Sequence, residues 1–441
     1  MTATPVAARL DAPRDEVTLR GIAGSLAWAA EIVETHVSTI VLIGDRAYKV
    51  KKPVDTGFLD FTTRESRQHA CRQEVALNRR LAPDVYLGVA DVSGDDGKPC
   101  DHLVVMRRMP ANRRLSALLA GGGGARACVR AVARSIASFH ERADRGPDID
   151  RDAGADAVRA LWDVGMAQLR PFVGPVLDPQ TVARMQALAG RYVNGRATLF
   201  QQRIDEGHIV DGHGDLLADD IYCLDDGPRI LDCLEFDPHL RHGDVLLDVA
   251  MLAMDMERLG RDDLAHAFMD DYREFTSCNH PASLAHHYIA YRAFVRCKIA
   301  CMRHAQQGDE SIAEEARTLS EIAVSHLEHG RVSLVLIGGA PGTGKTTLAR
   351  ALGDSFCWAV LRTDQVRQEL DGSREASPDG FEIGRYAPDE VARTYIELLH
   401  RAEHLLRRGE SVILDATWRE SSQREVARLV AARAGALITE V

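Results

Sequence analysis

The sequence predicts a two-part α+β region followed by a separate α/β domain, and three observations predict it. Residues up to about 110 alternate apolar and polar positions around turn dipeptides, as strands do. Residues 111–328 switch to helical periodicity, broken by one compact non-helical island, His208–Asp237. From Val332 onward an apolar run, a glycine-rich loop and a helical pattern alternate as in a parallel α/β layer. At 441 residues the chain exceeds one ordinary core, and the expected division is 1–20, 21–110, 111–328 and 331–441.

Taken in order, residues 1–20 are small, polar and charged, and read as a flexible terminus. A helix is expected over Ile22–Val33. Ser38–Leu42 and Ala47–Val50 read as strands around the turn Gly44-Asp45. Thr63–Leu81 has helical spacing. Val85–Val92 and Leu103–Met106 read as further strands around Gly94-Asp95-Asp96-Gly97. Expected helices follow over Arg113–Leu119, Arg126–Glu141, Val158–Leu169, Pro179–Phe200, Leu246–Leu259, Asp262–Phe275, Leu284–His304 and Ser311–Leu327.

Composition limits the function classes. Hydrophobic content of 45% and charged content of 27% describe a globular chain. No apolar run reaches membrane-spanning length, and the N-terminus lacks a signal-peptide layout, so the expected location is cytoplasmic. Nine cysteines suit free thiols better than a disulfide framework, and Cys297 and Cys301 lack the second pair that a zinc site needs. The net charge of −11 disfavours a long nucleic-acid footprint but leaves room for a cationic small substrate or a short nucleic-acid end.

The run Gly339-Ala340-Pro341-Gly342-Thr343-Gly344-Lys345-Thr346-Thr347 fits the phosphate-binding P-loop. The strand Val332–Ile337 before it and the helix start Thr346–Leu352 after it are the context the motif requires. Its glycines let backbone N–H groups converge on phosphate, Lys345 would reach the β/γ-phosphates, and the Thr346 hydroxyl would hold Mg²⁺. Downstream, the strand Trp358–Leu361 leads to Thr363-Asp364, with Arg367 on the same helix face, and Ser411–Leu414 leads to Asp415. Asp364 also reads as a helix N-cap.

The island carries a second phosphate-handling pattern. His213-Gly214-Asp215-Leu216 precedes Asp220, and the strand Arg229-Ile230-Leu231 ends in Asp232. Ala47-Tyr48-Lys49-Val50 supplies a strand lysine, Glu74 a helix glutamate, and Val104–Met109, with Met106, a connection able to meet adenine. On these residues and on Asp244–Met251, residues 20 to about 328 resemble the aminoglycoside phosphotransferase-like, or choline-kinase-like, group of the protein-kinase fold. The resemblance implies a two-lobed domain with Asp215 as catalytic base, Asp232 as principal metal ligand and Asp248 as a brace for the catalytic loop. Glu235 would be an alternative or second metal contact. Position 220 is Asp where that group usually has a metal-binding Asn, position 217 is Leu where it often has His, and no G-x-G-x-x-G covers the first hairpin.

Residues 331–441 resemble small P-loop kinases of the polynucleotide-kinase, gluconate-kinase and zeta-toxin type. That implies Asp364 as hydroxyl-activating base, Arg367 as a substrate-phosphate or orientation contact and Asp415 as a supporting acid, at a strand end where it would order Mg²⁺ water or a substrate hydroxyl. The sequence stops at Leu437–Val441 within an expected strand, before the arginine-bearing lid of such kinases. The whole arrangement resembles the bifunctional aminoglycoside phosphotransferase-like/P-loop ATP-binding protein family of bacteria. The function it implies is ATP- and Mg²⁺-dependent phosphorylation of a small-molecule hydroxyl. Two alternatives stay open: a nucleotide-binding switch without efficient turnover, and phosphorylation of a 5′-hydroxyl nucleic-acid end by the C-terminal module. The acidic segment Asp205–Asp237, with Arg229 its lone Lys or Arg, would suit an amine-bearing substrate or simply a solvated loop.

Overall fold

The computed structural model describes residues 7–10, 31–35, 37–55, 60–94, 96–121, 124–340, 342–372 and 388–441. Strands β1 (Ala7–Leu10), β2 (Glu31–Glu34), β3 (Ser38–Ile43) and β4 (Arg46–Lys51) precede helix α1 (Arg64–Asn78), and β5 (Tyr86–Ser93) and β6 (Pro99–Arg107) follow it. Helices α2 (Leu115–Gly121), α3 (Ala125–Arg142), α4 (Pro147–Asp150), α5 (Ala155–Leu169), α6 (Pro179–Gly195) and α7 (Ala197–Asp205) come next. The island contains β7 (Ile209–Asp211), β8 (Ile221–Leu224), β9 (Gly227–Ile230) and β10 (His242–Asp244). Helices α8 (Val245–Arg258), α9 (Asp262–Thr276), α10 (Ala282–Gln307) and α11 (Glu310–His329) lead to the last domain. There β11 (Ser333–Ile337), α12 (Lys345–Phe356), β12 (Ala359–Arg362), α13 (Thr363–Gly372), α14 (Pro388–Arg407), β13 (Val412–Asp415), α15 (Ser421–Arg433) and β14 (Leu437–Glu440) alternate. No described helix is long and apolar enough to cross a membrane.

The chain forms two compact units, 1–149 with 210–278, and 150–209 with 279–441. The helical segment 111–328 is therefore divided between them rather than forming one lobe.

The first unit holds a six-stranded antiparallel sheet in the order β1-β5-β6-β4-β3-β2. Gly44 makes the β3–β4 turn with φ of 57°, a conformation that suits a residue without Cβ. The expected helix over Ile22–Val33 lies outside the described residues as far as Ala30. Its last residues are strand β2, paired with β3. Period-two alternation sends Ala47, Lys49 and Lys51 of β4 inward. Helix α1 starts where the Thr63 side chain accepts from Ser66 N, and it buries Ala70, Cys71, Glu74 and Val75. Helix α8 is buried nearly all round, from Val245 to Met256, as a helix surrounded by protein must be.

The second unit ends in a four-stranded parallel sheet, β12-β13-β11-β14. The pattern expected as one helix, Pro179–Phe200, is two helices broken at Arg196. Arg196 is fully buried, and its guanidinium donates to Gly195 O and Ala434 O while lying over the Tyr192 ring. The backbones approach so closely that a Cβ at Gly195 would meet Ala434 O at 2.2 Å. Helices α6 and α7 thus pack directly on the end of α15.

His287 is buried in this unit, stacked on Tyr192 at 4.4 Å and accepting from Trp162 Nε1 at 3.4 Å. Burial, with Arg196 nearby, pushes its pKa down to about 3. An unfolded histidine titrates near 6.5, so the unfolded state binds the extra proton and stability is lost as pH falls from about 6.5 toward 3. At pH 5 this one group accounts for about 2 kcal/mol. Urea midpoints at pH 7.5 and 5 should show the drop, and His287→Phe should shrink it. An equal drop in both chains would assign the acid sensitivity elsewhere.

Candidate active site

In the first unit the sequence-distant residues converge. Lys49 Nζ lies 2.9 Å from Glu74 Oε1 and 2.5 Å from Asp232 Oδ1. Glu74 is fully buried, and its other oxygen lies 2.6 Å from Lys51 Nζ, which also pairs with Glu235. The two lysines hold the Glu74 carboxyl below its usual range against the pull of burial. Lys49 is held above its usual range by Asp232 and Glu74, although burial opposes this. Sequence reasoning missed Lys51. Glu235, expected as an alternative or second metal contact, pairs with Lys51.

The loop carrying Asp215 is fixed from below. Asp248 Oδ2 accepts from His213 N at 2.7 Å and contacts His140 Nε2 at 3.0 Å, and Oδ1 accepts from Gly214 N at 2.8 Å. Two helical turns further along the same stripe of α8, Asp255 Oδ2 accepts from Ala218 N at 2.9 Å. His213 is buried neutral, its pKa lowered to about 4 by desolvation, and its Nε2 meets Leu231 O at 3.1 Å. Gly214 takes φ of 90°, and Asp232 takes φ of 63°, a region uncommon for residues other than glycine and typical of functional strain. Asp232 N donates to Tyr86 Oη, and Cys233 N donates to Asn78 Oδ1 of α1.

Asp220 follows Asp215 on a short turn and shares the cleft with Asp232. Desolvation, with the Asp232 and Asp215 carboxylates beside it, pushes Asp220 well above the ordinary carboxyl range. Lys49 holds Asp232 below it. The Asp232 side chain keeps 49% of its surface exposed at the cleft although protein surrounds it on the other side. These hard oxygen donors suit a magnesium ion. Four other acids of the segment face arginines: Asp211 with Arg241, Asp219 with Arg114, Asp225 with Arg113 and Asp226 with Arg229. Met106 lies inside β6, in register with Ala47 and Tyr86. The chain leaves the sheet just after it, at Arg108-Met109-Pro110.

In the second unit the parallel register brings Ile337, Asp415 and Arg362 to one carboxyl edge. There Gly342 and Gly344 take φ of 83° and 89°, Thr343 Oγ1 donates to Ala340 O at 2.9 Å, and Lys345 opens α12. Pro341 lies outside the described residues. Thr347 is exposed in the first turn of α12. Thr346 Oγ1 donates to Asp415 Oδ2 at 2.7 Å, and Arg362 Nε lies 3.4 Å from the same oxygen. Asp415 Oδ1 is buried and has no hydrogen-bond partner among the described residues, which fits an acid that holds a metal-bound water. Asp364 stands in the first turn of α13, not at its cap, with 70% of its side chain exposed and Arg367 at 3.6 Å.

The topology and the Lys49–Glu74–Asp232 geometry define a protein-kinase-like phosphotransferase fold, followed by a nucleotide-binding P-loop domain of kinase-like topology. The model of the AAA domain family matches residues 334–441. The chain belongs to the family of an uncharacterized protein of Mycobacterium tuberculosis (strain ATCC 25618 / H37Rv), with which it is 43% identical over 412 residues, 93% of this chain and 82% of that protein. Among solved structures it is similar to a choline/ethanolamine kinase family protein from Mesorhizobium loti (12% identity, TM-score 0.44, 70% of this chain and 94% of the other). It is also similar to the GDP complex of an aminoglycoside 2′-phosphotransferase (14% identity, TM-score 0.43, 68% and 93%).

Proposed function

We propose that the protein is an ATP-dependent phosphotransferase acting on a hydroxyl group of a small molecule, with transfer at the cleft of the first unit. The observation that carries the proposal is Lys49 poised between Glu74 and Asp232 beside a loop fixed through Asp248. Asp215 takes the proton of the acceptor hydroxyl. The acceptor oxygen bonds to the γ-phosphorus as the bond to the β-bridging oxygen breaks, and ADP leaves with that electron pair. Lys49 steadies the α/β-phosphates, and Asp232 and Asp220 would hold Mg²⁺, which when bound neutralises phosphate charge. In the P-loop domain Lys345 would meet phosphate, and Thr346 and Asp415 would hold the ion.

The test is a panel of aminoglycosides, amino alcohols and sugars with γ-labelled ATP, run on the full chain and on Lys345→Ala. Label should reach one acceptor and survive Lys345→Ala. No labelled acceptor in either chain, despite nucleotide binding, overturns the reading.

Asp220 favours a second reading, nucleotide binding without efficient turnover, because three carboxylates crowd where an amide would relieve one charge. A large gain of transfer in Asp220→Asn would support this reading. Unchanged or lower transfer would count against it.

A further inference from the structure

We infer that Lys51 and Glu235 are positioning residues of the nucleotide site: they hold Glu74 and the metal-carrying segment still while Lys49 exchanges Asp232 for phosphate. The inference rests on the first unit binding a nucleotide as proposed above.

The geometry is a row of alternating charges, Asp232–Lys49–Glu74–Lys51–Glu235. It arises because β4 points every second residue inward, so a lysine at 49 and another at 51 share one face. Glu74 gives one oxygen to each, at 2.9 Å and 2.6 Å. Lys51 is itself buried, 5.5 Å above the Phe61 ring, with Glu235 on its far side.

Lys49 has a conflict that Lys51 does not. Its ammonium group touches Asp232, the carboxylate that must turn to the metal, so it has to move when phosphates enter. A buried glutamate with Lys49 as its sole cation would either hold that lysine back or lose its partner as the lysine moved. Lys51 removes the conflict, since it neutralises Glu74 from the closed side and has no phosphate to serve. Glu235 extends the same anchor to the segment that begins at Asp232. That segment is tied by Cys233 N to Asn78 of α1 and by Leu234 N to His213 O of the catalytic loop. Strand, helix and both acidic segments are thus joined at a point set back from the cleft.

The experiment uses the full chain in a Lys345→Ala background, so that the P-loop contributes no nucleotide binding. The probe is the non-hydrolysable analogue adenylyl-imidodiphosphate with Mg²⁺, titrated calorimetrically. Lys51→Met alone removes the cation shared by two buried carboxylates, so the deciding variant is Lys51→Met with Glu235→Gln, which removes both members of the pair. Its dissociation constant should rise about tenfold or more, the usual effect of removing a group that orients a ligand-binding residue. Its melting temperature should stay within a few degrees of the parent, and Lys51→Arg should bind as the parent does. Parental affinity in the double variant overturns the inference. So does a double variant that no longer melts cooperatively, because the pair is then only part of the core. A parent that binds the probe but labels no acceptor sinks the phosphotransferase reading alone, and the affinities still decide the role of Lys51.

Discussion

Asp215→Ala should lower phosphoryl transfer by about 10²–10⁴-fold, the range for loss of a positioned general base. Nucleotide affinity and the unfolding midpoint should barely change. The reason is that Asp215 differs from its neighbours in what it supports. The backbone of its loop is held by Asp248 through His213 and Gly214, and by Asp255 through Ala218. The Asp215 side chain is half-buried at the cleft and its removal leaves those bonds in place. It also takes one carboxylate away from Asp220, so any change in stability near neutral pH should be small or favourable. The measurement is kcat and KM for the acceptor found with labelled ATP, alongside urea unfolding. Equal transfer by Asp215→Ala and the parent would remove the first unit as the catalyst.

What the sequence made legible is what depends on spacing along the chain. The hairpin lysine, the helix glutamate, His213-Gly-Asp and the strand into Asp232 stand in a fixed order, and so does the P-loop between its strand and helix. Their meeting in space follows once the strands pair, because β4 and β6 place Lys49 beside the helix that carries Glu74. Less legible were side chains whose roles come from a partner far away in sequence. Lys51 reads as one more basic residue in Lys49-Val-Lys-Lys until Glu74 and Glu235 are seen on either side of it. Asp255 had a faint signal: it lies two helical turns from Asp248, on the same stripe of α8. Arg196 gave none, since a charged residue inside a helical pattern normally faces water, and only the close approach of α15 turns it inward. The acidic island misled in the opposite direction. Its charges look like one patch in sequence, but arginines at 113, 114 and 241 neutralise several of them from outside the segment.

Asp248→Ala should destabilise the protein by about 3–5 kcal/mol, the largest loss of stability expected for any single change near the site. The carboxylate takes two backbone N–H groups and contacts His140 Nε2, all of them buried. Truncation leaves those groups dry and unpartnered, and each such loss is worth about 1–3 kcal/mol. His140 loses the partner that, with the Tyr272 hydroxyl on its other nitrogen at 2.8 Å, fixes its ring. Alanine also opens space beside Gly212, where the Asp248 carboxylate packs so closely that a Cβ would sit 2.7 Å from Oδ2. Asp248→Asn keeps the shape but has one acceptor oxygen, and turns an N–H toward a group that needs an acceptor, so it should fall between alanine and the parent. The check is the shift in unfolding free energy from urea melts, with hydrogen exchange at His213 and Gly214 read in the same chains. Those two amides should lose protection first, because the carboxylate that accepts from both is gone. Midpoints within 1 kcal/mol of the parent for Asp248→Ala would mean that the loop holds its shape without the brace. The contrast with Asp215 then carries the mechanism: Asp215→Ala should remove rate and spare the fold, while Asp248→Ala should weaken the fold and lower the rate by letting the base drift out of reach.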